Sequence, residues 1–200
     1  MKRLYLLRHG QTLFNKKDIV QGQCDSRLTE LGEKQGAAAG KYFRDHRIEF
    51  DRVYTSDLPR TEETLAQFYD GDYRRLKGLR ERSYGIYEGD SNMSVLNLFD
   101  NCRDQFDRLG LETDESLTKR MTDTLSEIMD EEGVNTVLAV SHGDSMRTFA
   151  ESVDAQKMKD FGFMPNCAIF VYDYDEKNRS FKLSNIITEH VADLYSSIQQ

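Results

Sequence analysis

Two tripeptides carry the most chemistry in this chain: Arg8-His9-Gly10 and Ser141-His142-Gly143, each placed directly after a short apolar run. A neutral imidazole, with an unperturbed pKa of about 6.5, is mostly unprotonated at neutral pH and is nucleophilic toward phosphorus. A phosphoryl group brings negative charge. Arg8 and Arg60 could meet it with planar, permanently charged forks that take phosphate oxygens two at a time, a geometry lysine does not match. His142 could donate a hydrogen bond to the same oxygens, and Gly10 and Gly143 would let the backbone come close where a side chain would collide. A lone histidine beside a strand end is more often a hydrogen-bonded structural residue, so the weight of the reading lies on the repetition. The set lacks one part, an acid for the leaving group.

These residues act together only if the chain gathers them in one place. Leu4 to Leu7 and Thr136 to Val140 read as strands buried on both faces. Asp51 to Tyr54 reads as a third strand. It leads into the polar turn Ser56-Asp57 and a helix to about residue 69, with Pro59 in the first turn and Glu62 and Glu63 near the start. Leu31, Ala38 and Tyr42 mark one face of a helix over 30 to 45, and Leu117, Met121, Leu125 and Ile128 mark another helix. Cys167 to Tyr174 and Ser180 to Thr188 form two strands around the polar turn Asp175 to Arg179 and suit a sheet edge. This alternation predicts an α/β fold, a three-layer α/β/α sandwich with a mostly parallel central sheet, in one domain. In open sheets of this kind ligands gather outside the carboxyl ends of the parallel strands. Three predicted strand ends deliver Arg8 to Gly10, Ser56 to Arg60 and Ser141 to Gly143 there. The least regular stretch, 85 to 115, reads as a helical flap over that site.

Composition narrows the function classes. With 200 residues and 38% hydrophobic content, the chain suits a single core. Its 27 Lys+Arg against 35 Asp+Glu give a formal charge of −8, which argues against a nucleic-acid partner and leaves any anionic substrate to a local cluster of cations. Cys24, Cys102 and Cys167 are scattered without a CxxC pair, so neither a disulfide framework nor a zinc site is expected, and a cytoplasmic setting is the simplest. No long apolar run or cleavage pattern suggests a membrane partner or processing. Gly143-Asp144-Ser145 falls short of a nucleophile elbow because Arg147 stands where the last glycine belongs, and Ser145 reads as the start of a helix. Asp173, Asp175 and Glu176 read as an acidic hairpin turn rather than a cation site, and His46 and His190 have no evident partners.

Taken in order, RHGQTLFN (8 to 15), QGQCDSRLTELG (21 to 32), SDLPRTEET (56 to 64) and LRERSYGIYEG (79 to 89) resemble the signature segments of the histidine phosphatase superfamily, the phosphoglycerate-mutase-like proteins. DES with Arg120 downstream, SHG (141 to 143) and MPNCAIFVYD (164 to 173) continue the resemblance over nearly the whole chain. It implies that His9 is phosphorylated, that Arg8, Arg60 and His142 complete a phosphate pocket, and that Glu81 is the general acid. Asn15 and the Gln21-Gly22 pair match positions lining that pocket. A carboxyl near a bound phosphate dianion has its pKa raised and can hold a proton, although without the resemblance Glu81 reads more simply as a partner of Arg80 or Arg82 on a solvated loop.

The expected activity is a metal-independent phosphomonoester phosphatase acting on a small phosphorylated metabolite without a cofactor. A cofactor-dependent phosphoglycerate mutase and a non-catalytic binding protein are the alternatives, the mutases being associated with longer chains. Arg82, Tyr84, Tyr87, Arg103 and Arg108 could meet the organic part of the substrate, whereas Leu96, Leu98, Phe99 and Phe106 could pack the flap down. A homodimer is the expected assembly.

Overall fold

Leu4 to Leu7 lie at the centre of a six-stranded sheet, and alternate residues of that run enter different cores, as the two-residue period of a strand requires. In the computed structural model, which describes residues 1 to 92 and 105 to 196, the strands are β1 (Lys2–Arg8), β2 (Arg52–Ser56), β3 (Arg74–Leu76), β4 (Thr136–Ser141), β5 (Ile169–Asp175) and β6 (Ser180–Ile187). They are ordered β3-β2-β4-β1-β5-β6. The four strands from β3 to β1 are parallel, β5 pairs antiparallel with β1, and β6 pairs antiparallel with β5 at the edge.

The helices are α1 (Leu13–Lys16), α2 (Glu30–Asp45), α3 (Pro59–Leu65), α4 (Phe106–Leu109), α5 (Asp114–Asp130), α6 (Gly143–Phe161) and α7 (Glu189–Ser196). Leu4 and Leu6 pack with Leu117, Met121 and Leu125 of α5 and Phe149 of α6. Tyr5 and Leu7 pack with Ala39 and Phe43 of α2, Leu65 of α3 and Val191 of α7. Helices therefore cover both faces, and the expected α/β/α sandwich is present. Among the described residues no helix is long and apolar enough to cross a membrane.

Several boundaries and faces differ from expectation. Helix α2 spans 30 to 45 as predicted, and Ala38 and Tyr42 pack at the edge of the core half-buried, but the fully buried residues are Gly32, Gln35, Gly36, Ala39, Gly40 and Phe43. Its glycines allow close approach: a Cβ at Gly40 would sit 2.0 Å from the Phe68 Cβ, and one at Gly32 would sit 2.1 Å from the Gln11 carbonyl. Helix α3 stops at Leu65, where Gln67 and Phe68 tighten into three-residue turns on the carbonyls of Thr64 and Leu65. The edge strand β3 is short, with Arg74 and Arg75 exposed, and has no apolar alternation to announce it.

Residues expected to lack partners have them. His46 Nδ1 bonds the Tyr42 carbonyl at 2.9 Å, and His190 Nε2 bonds the Cys167 carbonyl at 2.9 Å. The acidic hairpin is a solvated turn, as expected. Asp173 pairs with Arg3, Glu176 pairs with Lys2, and Asp175 accepts from the Lys177 backbone and the Asn178 side chain. Of the stretch 85 to 115, the described residues include a 3-10 turn at Gly85–Tyr87 and the short α4. Leu96, Leu98, Phe99 and Arg103 lie outside the described residues.

Candidate active site

The register of β1 on β4 sets Arg8 opposite Ser141, so the residues that follow each strand emerge side by side. The His9 backbone N–H donates to the Ser141 carbonyl at 3.0 Å, and the two imidazole rings meet edge to face with centroids 5.3 Å apart. Strand β2 lies on the other side of β4 and ends at Ser56, which brings Arg60 of α3 to the same edge. Antiparallel β5 begins at this edge, so the preceding loop closes over it. Asn166 Nδ2 there donates to the His9 carbonyl and to Asn15 Oδ1, both at 3.2 Å.

The hydrogen bonds assign opposite tautomers to the two histidines. His9 Nδ1 lies 2.7 Å from the Gly10 carbonyl, which can only accept, so Nδ1 carries the proton and Nε2 keeps its lone pair. Arg60 donates its Nε–H to His142 Nδ1 at 3.1 Å, which puts the His142 proton on Nε2. That Nε2 is buried and has no hydrogen-bond partner among the described residues. Burial, then Arg60 and Arg8, push the His9 pKa well down; burial, then Arg60, do the same for His142. Both rings are therefore neutral at pH 7.

Arg60 is fully buried, and much of its fork is engaged by the protein itself. Nη1 donates to the Cys24 carbonyl and to Asp25 Oδ1, both at 2.9 Å, and Nη2 donates to the Gly22 carbonyl at 2.7 Å. It thus holds the loop 22 to 25 under the site as well as orienting His142. Arg8 Nη1 donates to the Met164 carbonyl. Gly22 has φ +53°, and a Cβ there would meet the Glu88 carboxylate, which accepts from the backbone of Gln23, Cys24 and Tyr84. The close approaches at the other glycines are internal to the protein. A Cβ at Gly10 would lie 2.4 Å from the Gly32 carbonyl, and one at Gly143 would lie 3.1 Å from Arg8 Nε.

Glu81 is only 8% exposed and pairs with neither neighbouring arginine, so the solvated-loop alternative does not hold. Arg80 is bidentate on Asp57, and Arg82 is drawn to Asp114 and Asp144. Glu81 Oε1 instead accepts the backbone N–H groups of Arg82 at 2.9 Å and Ser145 at 2.8 Å, and Oε2 accepts that of Asp144 at 3.0 Å. It caps the start of α6, where the His142 side chain makes no cap of its own. Burial and then the nearby Asp144 carboxylate raise its pKa, outweighing the three N–H bonds that favour the ionised form.

A cavity of about 700 Å³ opens over these groups, lined by Arg8, His9, Asn15, Gln21, Gly22, Arg60, Glu81 and Gly143, whereas His142 is fully buried and reaches the site through its edge-to-face contact with His9. Asn15 Oδ1 accepts the Thr12 backbone N–H, and Gln21 Oε1 accepts the Thr12 hydroxyl, so both amides are fixed. Tyr84 also lines the cavity, whereas Tyr87 and Arg108 do not. Phe106 is buried, and Arg82 is a buried clamp rather than a substrate contact. Asp18, Asp144, Arg147 and Phe163, for which the sequence suggested no role in the site, also line the cavity, as does Asn92 of the expected flap. Asn166 lies in the segment 164 to 173, but its contact with His9 is formed only by the fold. Among the described residues no three His, Cys, Asp or Glu side chains are grouped to hold a metal ion.

Residues 4–187 match the histidine phosphatase superfamily (branch 1). A broad-specificity phosphatase of Saccharomyces cerevisiae is 31% identical over 96% of this chain and 88% of its own. A 2,3-bisphosphoglycerate-dependent phosphoglycerate mutase of Dichelobacter nodosus is 27% identical over 88% of this chain and 89% of its own. A solved phosphoglycerate mutase from Bacillus anthracis shares the fold with a TM-score of 0.80, at 24% identity over 97% of this chain and 96% of that one. With its paired histidines at adjacent strand ends and a match covering nearly all its length, the chain belongs to the histidine phosphatase superfamily.

Proposed function

We propose that the chain is a metal-independent phosphomonoester phosphatase in which His9 takes the phosphoryl group and Glu81 is the general acid and base. The complementary tautomers carry this reading: a lone pair on His9 Nε2 suits attack on phosphorus, and a proton on His142 Nε2 suits a phosphate oxygen. His9 Nε2 bonds to phosphorus as the bond to the ester oxygen breaks. Glu81 gives its proton to that oxygen, releasing an alcohol. Water then attacks the phosphohistidine, Glu81 accepts its proton, the P–N bond breaks, and inorganic phosphate leaves with His9 restored. Arg8, Arg60 and His142 offset charge on the equatorial oxygens, while Asn15, Gln21, Gly22 and Gly143 shape the pocket.

The likeness to a broad-specificity phosphatase over 96% of this chain supports hydrolysis of small phosphorylated metabolites. The more distant likeness to a mutase keeps a second reading, in which the phosphoryl group returns to a bound intermediate. Substrate choice is assigned to residues 90 to 110, of which Asn92 lines the cavity. The test is phosphate release from an aryl phosphate and a panel of sugar and glycerate phosphates in excess EDTA, with His9→Ala as control. Release that survives the chelator and is lost in the variant supports the phosphatase. Isomerisation of a glycerate phosphate without release favours the mutase.

A further inference from the structure

Glu81 and Asp144 are tied together twice. The Asp144 backbone N–H donates to Glu81 Oε2 at 3.0 Å, and the Asp144 side chain accepts from Arg82, the residue beside Glu81. Arg82 Nε donates to Asp144 Oδ2 at 2.5 Å while the Arg82 backbone N–H donates to Glu81 Oε1 at 2.9 Å, which closes a ring. The Tyr84 hydroxyl donates to the same Asp144 oxygen at 2.7 Å, and Thr148 Oγ1 donates to the other at 3.3 Å. Arg82 is 2% exposed and is further pinned by Asp114, by Thr148 and by the Glu112 carbonyl, so the Asp144 carboxylate cannot swing away.

We propose that Asp144 is a positioning residue for Glu81: its fixed carboxylate supplies a like charge beside that carboxyl, and its backbone N–H aims one of the oxygens. Two carboxyl groups sharing one site cannot both ionise freely, and their surroundings decide which keeps a proton. Asp144 has a guanidinium and two hydroxyl donors, and its side chain is 27% exposed. Glu81 is more deeply buried and receives neutral backbone N–H groups. Burial and the neighbouring Asp144 carboxylate therefore act in the same direction on Glu81, raising its pKa.

Other charged and titratable groups around Glu81 come from every neighbouring element. They are Arg60 of α3, Arg8 at the end of β1 and His9 after it, His142 and Arg147 with α6, Tyr84 on its own segment, and Arg120 of α5 through the adjacent Arg80 carbonyl. The cations oppose the effect of Asp144, and removing Asp144 leaves them unopposed.

This inference rests on Glu81 acting as the acid, and one experiment separates the two. The pH profile of kcat/KM is measured for natural protein, Glu81→Gln and Asp144→Asn on an alkyl phosphate, which needs protonation of its leaving group, and on a nitrophenyl phosphate, which does not. Asp144→Asn keeps the backbone N–H and removes the charge. Its alkaline limb on the alkyl ester moves down by about one pH unit, a loss of about tenfold beyond the limb, while the aryl ester keeps most of its rate. Asp144→Ser, also neutral and suited to a helix start, gives the same shift and covers poor folding of the first variant. An unmoved limb, or equal losses on both esters, overturns the role of Asp144. Undiminished alkyl ester turnover in Glu81→Gln overturns instead the reading on which it rests.

Discussion

Arg60 Nε donates to His142 Nδ1 at 3.1 Å, and because a guanidinium never accepts, this bond makes His142 a neutral imidazole protonated on Nε2. Nitrogen-15 spectra of the free enzyme at pH 7 should show the Nε2–H tautomer for His142 and the Nδ1–H tautomer for His9. Imidazolium signals for both rings would contradict this assignment.

Arg60 orients His142, holds the loop 22 to 25 and lines the cavity, so a lysine cannot replace it. Arg60→Lys should lower kcat by about 10² to 10³, comparable to removing one transition-state hydrogen-bond donor. Steady-state kinetics on the preferred ester would measure it. A change under fivefold would show that the Arg60 geometry is dispensable.

The neutral, buried histidines link stability to pH. Their folded pKa values lie below the unfolded value of about 6.5, so the unfolded chain binds more protons and stability falls as pH drops below that value. Glu81, with its pKa raised, acts in the opposite sense above the ordinary glutamate range, one carboxyl against two imidazoles. Urea melts should therefore show lower stability at pH 5 than at pH 7.5, with the difference reduced in a His9→Asn, His142→Asn protein.

Gly10 is fixed by packing rather than by an unusual φ. A methyl there would meet the Gly32 carbonyl, which is backbone and cannot turn aside, at 2.4 Å. Gly10→Ala should cost about 1 to 3 kcal/mol in denaturant unfolding. It should also lower activity beyond that loss, because the Gly10 carbonyl holds His9 Nδ1. Near-neutral stability would show that α2 can retreat.

Much of the site was legible in the sequence because its strands are short continuous apolar runs, and residues following adjacent parallel strands must meet. His9, His142 and Arg60 come together for that reason. The centre of the buried face of α2 is not legible in the sequence, because glycines carry no hydrophobic signal although they set the approach distance. Glu81 could be assigned only through family resemblance. Its burial depends on the start of α6, more than sixty residues away, and no local pattern encodes that. The engagement of Arg60 with Asp25 and the contact of Asn166 with His9 are likewise products of the fold.

Transfer of the phosphoryl group to His9 can be seen by trapping the intermediate. The protein would be mixed with a phosphomonoester that it hydrolyses, quenched in alkali within one turnover, and digested for mass spectrometry. One acid-labile, alkali-stable phosphoryl group is expected on the peptide containing His9, absent from His9→Asn. Phosphate release that continues undiminished in His9→Asn, or a phosphoryl group trapped on another residue, would contradict it.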